Sequence, residues 1–134
     1  MNPKDIAAQT RAPLHLLPAI GIVQGAMACR QGAIEYGPFN WRENPIELMS
    51  YLGAMGRHIA RLQDGEWVDA KSGVPHLGHI IATASILLDA NGCGTLISNV
   101  PRLGGHTTAM LDVIEANLKN AQKATPLDPT GGAE

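Results

Sequence analysis

Apolar residues recur at helical spacing in four segments of the chain, and each segment is predicted to form an α-helix. The first predicted helix runs from about Pro18 to Tyr36, because proline is favoured in a first turn and the following Gly37-Pro38 cannot continue a helix. Four apolar side chains share one face of this helix and are expected to pack in the core: Ile20, Val23, Met27 and Ile34.

The second predicted helix begins at Asn44, a good N-cap residue, with Glu47 three residues later as in a capping box. It ends at about residues 63–64, before Gly65. Gly53 and Gly56 weaken its helix propensity, so a neighbouring element is expected to approach closely there. An apolar stripe at heptad-like spacing predicts its buried face: Leu48, Leu52, Met55, Ile59 and Leu62.

Two further helices are predicted in the second half of the chain. The third continues from His76 to about Ala90, and the fourth runs from about Thr107 to Gln122. Between them, residues 95–100 are predicted to form a short strand or an extended arm. Because the strands of an α/β sheet are missing, the predicted fold is all-α, a helical bundle of about four helices. Residues 1–124 are predicted to form a single domain and residues 125–134 a disordered tail.

Charged residues make up only 16% of the chain, against roughly 25% in an average soluble domain. A surface this poor in charge favours a homo-oligomer, in which another subunit covers part of it. The formal net charge of −2 argues against a nucleic-acid partner, and no apolar run approaches the ~20 residues of a membrane helix. The first residues lack an apolar signal core, so a cytoplasmic location is expected. Cys29 and Cys93 form no CxxC motif and are expected to be buried free thiols.

Aromatic and acidic residues are concentrated in the middle third of the chain, where chemistry is therefore expected. All five aromatic residues and six of the twelve acids lie between positions 35 and 69. Glu66 and Asp69 form an ExxD pair, whose carboxylates would share a face if the second helix extended through them. Carboxylates at this spacing suit a hard cation such as Mg²⁺, while the alternative is a pair of solvated surface charges.

Three histidines lie close to these acids in the sequence. His76 and His79 are three residues apart at the start of the third predicted helix, and His58 lies nearly in line with Glu47 on the second. Three interpretations stay open: capping and packing roles, a zinc site, or phosphate contacts beside a carboxylate-bound Mg²⁺. The nearby acids favour the harder metal.

Arg57 and Arg61 are like charges one helical turn apart, which predicts an anion between them. That anion is either a substrate phosphate or a neighbouring carboxylate, from Asp64 or Glu66.

Residues 39–42, Phe39-Asn40-Trp41-Arg42, form a loop with two aromatic rings, an amide and a guanidinium. Such a loop can stack on a nucleotide base, or its rings can fill the joint between two helices. The sequence contains no GxSxG motif, P-loop or dinucleotide fingerprint.

A series of motifs spans about residues 13–90 in order: Leu14-His15-Leu16-Leu17-Pro18, Gly32-Ala33-Ile34-Glu35-Tyr36-Gly37-Pro38-Phe39-Asn40-Trp41-Arg42, Tyr51, Arg57-His58, Gly65-Glu66, Asp69, Ser72-Gly73, Pro75-His76-Leu77 and His79. With these motifs the chain resembles the phage and bacterial dATP/dGTP diphosphohydrolase domain, which is related to the MazG-like all-α nucleoside triphosphate pyrophosphohydrolases. Two features depart from these relatives: Thr83 stands where family members often have asparagine, and the EExxE metal signature of MazG proper is absent.

The resemblance implies hydrolysis of a purine deoxynucleoside triphosphate to the monophosphate and pyrophosphate. We expect dGTP to be preferred, with dATP and GTP as the other candidates. Relatives use Mg²⁺ or Mn²⁺ held by acids on helices, and they assemble as dimers or tetramers with sites between subunits. Some phage relatives supply dGMP for the synthesis of 2-aminoadenine nucleotides, which would place this protein in the host cytoplasm.

Cleavage between the α- and β-phosphates needs an activated water and charge neutralisation, both of which a divalent cation supplies. In the site implied by the resemblance, the expected metal ligands are Glu35, Glu66 and Asp69. The residues expected to act in catalysis are Glu47, Glu66, Asp69 and His58. The residues expected to bind the substrate are Asn40, Trp41, Arg42, Arg57, His76 and His79.

Two alternatives from other functional classes stay open at this point. A zinc-dependent hydrolase built on His58, His76 and His79 would use three nitrogen ligands and keep an open coordination position. A non-catalytic helical module would bind nucleotides, or only assemble, without turnover.

Overall fold

The computed structural model describes residues 1–124, and its architecture is all-α, as predicted. Its helices are α1 (Pro3–Ala8), α2 (Ala19–Tyr36), α3 (Leu48–Gln63), α4 (His76–Cys93) and α5 (His106–Ala124). Two-residue strands β1 (Ile46–Glu47) and β2 (Leu96–Ile97) pair in parallel, and 3₁₀ turns span Leu14–Leu16 and Asn40–Arg42. The four predicted helices correspond to α2–α5, and α1 is an additional short helix.

The pattern of residue contacts divides the chain into two compact units, and the boundary along the sequence lies between residues 99 and 100. The first unit contains α1–α4 and both strands, and the described part of the second contains α5. The single domain over residues 1–124 stays a prediction. The tail predicted to be disordered, residues 125–134, lies outside the described residues.

Helix α4 is the centre of the first unit, because both α2 and α3 pack against it. Its apolar side chains enter two small clusters, one on each side. The cluster beside α2 contains Ala28, Val74 and Ala82. The cluster beside α3 contains Ile46, Leu87 and Ala90, with Trp41, Leu48, Tyr51, Ile86 and Leu96 packed around it.

Helices α2 and α4 approach each other most closely at glycines. A Cβ atom at Gly78 of α4 would lie 2.9 Å from the backbone oxygen of Gln24, and one at Gly25 of α2 would lie 2.8 Å from Ile81. The close approach predicted at Gly53 and Gly56 of α3 is wrong. A Cβ at Gly56 would meet nothing within 4 Å, and one at Gly53 would meet only the Arg57 side chain. Helix propensity shows where a glycine destabilises a helix, but it does not show which glycine lies at a close contact with another helix.

The buried face predicted for α2 is also wrong. Its large apolar side chains are exposed, whereas the face against α4 consists of small residues such as Gly25 and Ala28. Helical spacing identifies a stripe of side chains, but tertiary packing decides which stripe is covered. The exposed fractions on α2 are 73% for Ile20, 57% for Val23, 44% for Met27 and 65% for Ile34.

Helix α3 begins at Leu48 and not at Asn44, so the predicted capping box does not form. The residues just before it pair with β2, and Ile46 becomes buried. Asn99 takes over the capping role, because its Oδ1 accepts a hydrogen bond from the backbone N–H of Met49 at 2.9 Å. A long-range strand pair thus replaces a local start signal.

Helix α4 begins at His76 as expected but continues past Asn91 and Gly92 to Cys93. Gly94 ends it in the left-handed conformation, with φ of +74°, which glycine adopts without strain. The segment after it forms a short strand, β2, one of the two predicted alternatives. Both cysteines are free, but neither is buried, since Cys29 is partly covered and Cys93 is exposed. Among the described helices, none is long and apolar enough to cross a membrane.

Candidate active site

Glu66 and Asp69 lie in the connection between α3 and α4, so they do not share a helix face. The connection folds back on itself through an antiparallel bridge between Val68 and Pro75. A hydrogen bond from the Asp69 N–H to the Val74 oxygen at 3.0 Å holds this turn. As a result, each carboxylate meets a different histidine at the start of α4.

Glu66, His76 and His58 form a chain of hydrogen bonds. Glu66 Oε1 lies 2.9 Å from His76 Nε2, and His76 Nδ1 lies 2.8 Å from His58 Nδ1. A carboxylate accepts hydrogen bonds, so Nε2 of His76 donates to it. In neutral His76, Nδ1 then accepts from Nδ1–H of His58, which leaves Nε2 of His58 as the unprotonated nitrogen at the end of the chain. His76 is completely buried, which fixes the position of this relay.

Asp69 is held by a second set of hydrogen bonds. Its Oδ1 accepts from the N–H of Lys71 at 3.1 Å, and its Oδ2 accepts from the Ser72 hydroxyl at 3.2 Å. His79 Nε2 lies 2.7 Å from Ser72 Oγ and 3.4 Å from Asp69 Oδ2. Partial burial acts to raise the pKa of Asp69, but the two hydrogen bonds and the adjacent His79 outweigh it and hold that pKa below its ordinary value.

The two sets meet where His58 stacks on His79, with ring centroids 4.5 Å apart and an interplanar angle of 5°. Burial, followed by the positive charges that His79 and His76 would carry, lowers the pKa of His58. Burial also lowers the pKa of His79, by more than Asp69 raises it. Both rings are therefore neutral at pH 7, a state in which they can stack and accept protons.

A cavity of about 520 Å³ opens beside this network and is called the cationic cavity below. Arg61 Nη1 lies 3.6 Å from Glu66 Oε2, so a carboxylate does lie near the arginine pair, as one of the two alternatives predicted. The ion pair is exposed and weak, which leaves both guanidinium groups available to a ligand. The charged and imidazole side chains that line this cavity are Arg57, His58, Arg61, Glu66, Asp69, Lys71 and His76.

A smaller cavity of about 250 Å³, the middle cavity, adjoins the cationic cavity through Asp69 and Lys71, which line both. Glu35 lines it from α2 and accepts a hydrogen bond from Gln31 Nε2 at 3.5 Å. Thr83 of α4 lies in the same wall. The structure therefore places the three predicted metal ligands around two adjoining cavities, with Asp69 common to both.

A third cavity of about 470 Å³, the aromatic cavity, lies between α2, α3, α4 and the loop at residues 37–42. It adjoins the middle cavity, because Ala28, Gly32 and Ile86 line both. Trp41 and Asn40, predicted to bind the substrate, lie in its wall. The rings that line it are Tyr36, Phe39, Trp41 and Tyr51.

Arg42 points elsewhere, because its guanidinium binds Asp89 of α4 through Nε at 2.8 Å and Nη2 at 3.0 Å. The same carboxylate accepts a 2.6 Å hydrogen bond from the Trp41 indole N–H. Arg42, followed by Trp41, lowers the pKa of Asp89 to about 2. Asp89 is not among the residues predicted from the sequence, although its position as the only acidic residue in α4 was a signal.

Glu47 lies outside this arrangement. It pairs in β1, and its carboxylate accepts hydrogen bonds from Asn99 at 3.3 Å and Ser50 at 3.5 Å. Eleven residues separate it from His58, or about 16 Å along a helix. No contact of Glu47 supports its assignment as a general base, which stays a prediction.

Zinc and Mg²⁺ sites need different numbers of protein ligands, and the His, Asp and Glu side chains around the cavities can be compared with both needs. Within residues 1–124, no three His, Cys, Asp or Glu side chains are grouped so that they could hold a metal ion. A zinc centre needs three or four such ligands, and both ring nitrogens of His76 already lie within hydrogen-bond distance of Glu66 and His58. Mg²⁺ is usually bound by one or two carboxylates together with water and substrate phosphates. Asp69, with Glu35 or Glu66 beside the adjoining cavities, fits that smaller requirement.

Comparison with known proteins identifies the family of the chain. Residues 1–100 match the sequence model of the family described as dATP/dGTP diphosphohydrolase, N-terminal. The matched segment extends over α1–α4, both strands and all the site residues above. No curated protein and no solved structure matches the chain. Because the family match extends over 100 of the 134 residues, the chain belongs to the dATP/dGTP diphosphohydrolase family, whose name describes diphosphohydrolases acting on nucleotides.

Proposed function

We propose that this protein hydrolyses a purine deoxynucleoside triphosphate, with dGTP preferred over dATP and GTP. Water adds to the α-phosphorus, the bond to the α–β bridging oxygen breaks, and the products are the nucleoside monophosphate and pyrophosphate. If the chain is phage-encoded, the dGMP would feed 2-aminoadenine nucleotide synthesis in the host cytoplasm. The observation that carries the proposal is the row of three adjoining cavities, aromatic at one end and cationic at the other.

The chemistry of this row matches the two ends of a nucleotide. Aromatic and apolar side chains accept a planar base, because stacking on a ring excludes water from both faces. Arg57, Arg61 and Lys71 at the opposite end supply positive charge for the phosphates. The middle cavity between them, with Asp69 and Glu35, then receives the sugar and the α-phosphate.

Protons are handled by the relay that ends at His58. Glu66 orients His76, and His76 orients His58, so that Nε2 of His58 can accept a proton from the attacking water. The lowered pKa of His58 keeps this nitrogen unprotonated near neutral pH. Burial of His76 prevents solvent from disturbing the relay between turnovers.

A divalent cation, Mg²⁺ or Mn²⁺, is part of the proposal. Asp69 would hold it together with Glu66 or Glu35, and substrate phosphate oxygens and water would complete its ligands. When bound, the ion supplies charge neutralisation and a water of lowered pKa.

We also propose that the protein is a homo-oligomer, a dimer or a tetramer. The support is the exposed apolar face of α2, where Ile20 and Ile34 are 73% and 65% exposed. Contiguous apolar patches of this kind are uncommon on soluble monomers. Glu35 lies next to Ile34 on the same helix, so a second copy bound there would lie close to the middle cavity.

The proposed function is tested by incubating the protein separately with the eight common ribo- and deoxyribonucleoside triphosphates in Mg²⁺ or Mn²⁺. Chromatography of the products should show monophosphate and pyrophosphate in equal amounts, with the fastest turnover of dGTP. Release of inorganic triphosphate, or no turnover of any purine nucleotide, would contradict the proposal. Loss of activity on addition of a zinc-selective chelator, with Mg²⁺ kept at a saturating concentration, would favour the zinc-dependent alternative.

A further inference from the structure

The loop formed by residues 37–42, called the aromatic loop below, is held in a strained conformation. Phe39 has φ of +54°, a left-handed value that non-glycine residues adopt only at a cost in free energy. Such strain persists only where surrounding contacts hold it in place. Here the Arg42 guanidinium lies 4.6 Å from the Phe39 ring centroid, and the Phe39 and Trp41 rings are 5.4 Å apart.

Asp89 is the anchor of the aromatic loop. It accepts two hydrogen bonds from Arg42 and one from the Trp41 indole, across 47 and 48 residues of sequence. A bidentate pair to a carboxylate fixes orientation as well as distance. Because the Trp41 indole N–H and the neighbouring Arg42 both bind Asp89 of α4, the Trp41 ring is held at one position in the wall of the aromatic cavity.

The aromatic cavity has the size and surface of a ligand site. Its volume of about 470 Å³ lies within the range of small-molecule pockets, roughly 300–1,000 Å³. Its wall is mainly apolar, with two charged side chains, Arg30 and Asp89, and Asp89 is already bound to Trp41 and Arg42. Asn40 and Ser85 are further side chains in the wall that can form hydrogen bonds. Rings on several sides and a few polar groups suit a flat heteroaromatic ligand better than a charged or flexible one.

We propose that the aromatic cavity binds the purine base of the substrate by stacking on Trp41, and that Asp89 is the positioning residue that keeps Trp41 in place. This inference rests on the proposed function, which supplies the nucleotide. It assigns the Arg42 guanidinium to Asp89 and not to a phosphate, and it separates base binding from the phosphate chemistry around Asp69.

The experiment uses Trp67→Phe as background, because Trp41 is then the only tryptophan in the chain. The probe is 2′-deoxyguanosine, which has the base and sugar but no phosphate. Titration should quench Trp41 fluorescence to saturation. In the same background, Asp89→Asn should weaken binding about tenfold, which corresponds to about 1.4 kcal/mol. Asp89→Glu should recover part of the affinity, and Asp64→Asn, an exposed acid away from the aromatic loop, should leave it unchanged.

Steady-state kinetics with dGTP provide a second measurement. Asp89→Asn should raise KM about tenfold while kcat stays within about twofold, since base binding is lost but the phosphate chemistry is not. A purely structural role for Asp89 would instead lower the active fraction and therefore kcat. If Asp89→Asn does not fold, Trp41→Leu replaces it, with deoxyguanosine affinity measured by calorimetry and again expected to fall about tenfold.

Several outcomes overturn the inference. Absence of saturable quenching, or wild-type affinity in Trp41→Leu, shows that the base does not bind beside Trp41. Wild-type affinity in Asp89→Asn shows that Asp89 does not position Trp41 for the base. Turnover of dGTP without quenching refutes the base site while the proposed function stands. Saturable quenching without hydrolysis of any nucleoside triphosphate refutes the proposed function while the base site stands.

Discussion

At the residue scale, the two acids of the ExxD pair do not act as neighbours on one helix face but contact different side chains. Glu66 and Asp69 are three residues apart, yet one binds His76 and the other lies beside Ser72 and His79. In the proposed mechanism, this division gives the two carboxylates different tasks. Glu66 would orient the histidine relay, whereas Asp69, whose pKa is lowered, would stay ionised beside the cavities proposed to hold phosphate.

Replacing either acid by its amide should therefore stop the reaction without unfolding the protein. We expect Glu66→Gln and Asp69→Asn each to reduce pyrophosphate release from dGTP with Mg²⁺ by roughly 100-fold or more, because an amide cannot replace the charge. Helical circular dichroism should be unchanged, since both residues lie outside the helices. Asp64→Asn, in the same connection, is the matched control and should keep full activity. Full activity in both test variants would refute the site assignment.

At the element scale, the contact between α2 and α4 is made by glycines and alanines, which lets the helix backbones approach. The Cβ position of Gly78 faces a backbone oxygen, which cannot move aside as a flexible side chain can. Gly56 of α3 faces nothing within 4 Å. Gly78 therefore has no room for a larger side chain, whereas Gly56 has open space beside it.

Substitution by alanine distinguishes these two glycines. Gly78→Ala should lower the free energy of unfolding by about 1–3 kcal/mol, because the added methyl group forces α2 and α4 apart. Gly56→Ala should raise it by up to about 1 kcal/mol, since alanine has the better helix propensity and meets no neighbour. Urea denaturation followed by circular dichroism measures both. Equal effects of the same sign would show that the close approach at Gly78 does not limit packing.

At the scale of the whole molecule, the first unit has little buried apolar surface of its own. Its buried apolar residues are few, and three of the six are alanines. Meanwhile the large apolar side chains of α2 face outward. A chain that exposes its larger apolar groups gains stability by covering them with another copy, which is consistent with the small share of charged residues.

The expected result in sedimentation is therefore a dimer or tetramer. Val23→Glu, which places a charge in the exposed apolar face of α2, should shift the protein towards monomer, since an unpaired charge is costly to bury. Gln63→Glu, at the exposed end of α3, adds the same charge elsewhere and should leave the assembly intact. A wild-type protein that sediments as a monomer would contradict the proposed assembly.

The pattern of residues along the chain predicted the class of fold, the approximate positions of four helices and the side chains of the histidine and acid cluster. These features are local, because helical periodicity, caps and breakers act over a few residues. It also indicated the family through motifs between residues 13 and 90, and the match over residues 1–100 confirmed it.

The partners of those residues, in contrast, depend on how distant segments pack together. The start of α3 depends on pairing with β2 about 50 residues later, and the covered face of α2 depends on glycines that fit α4. Asp89 reaches Trp41 across 48 residues. Such contacts follow from packing between distant segments, which no local pattern of hydrophobic and polar positions encodes.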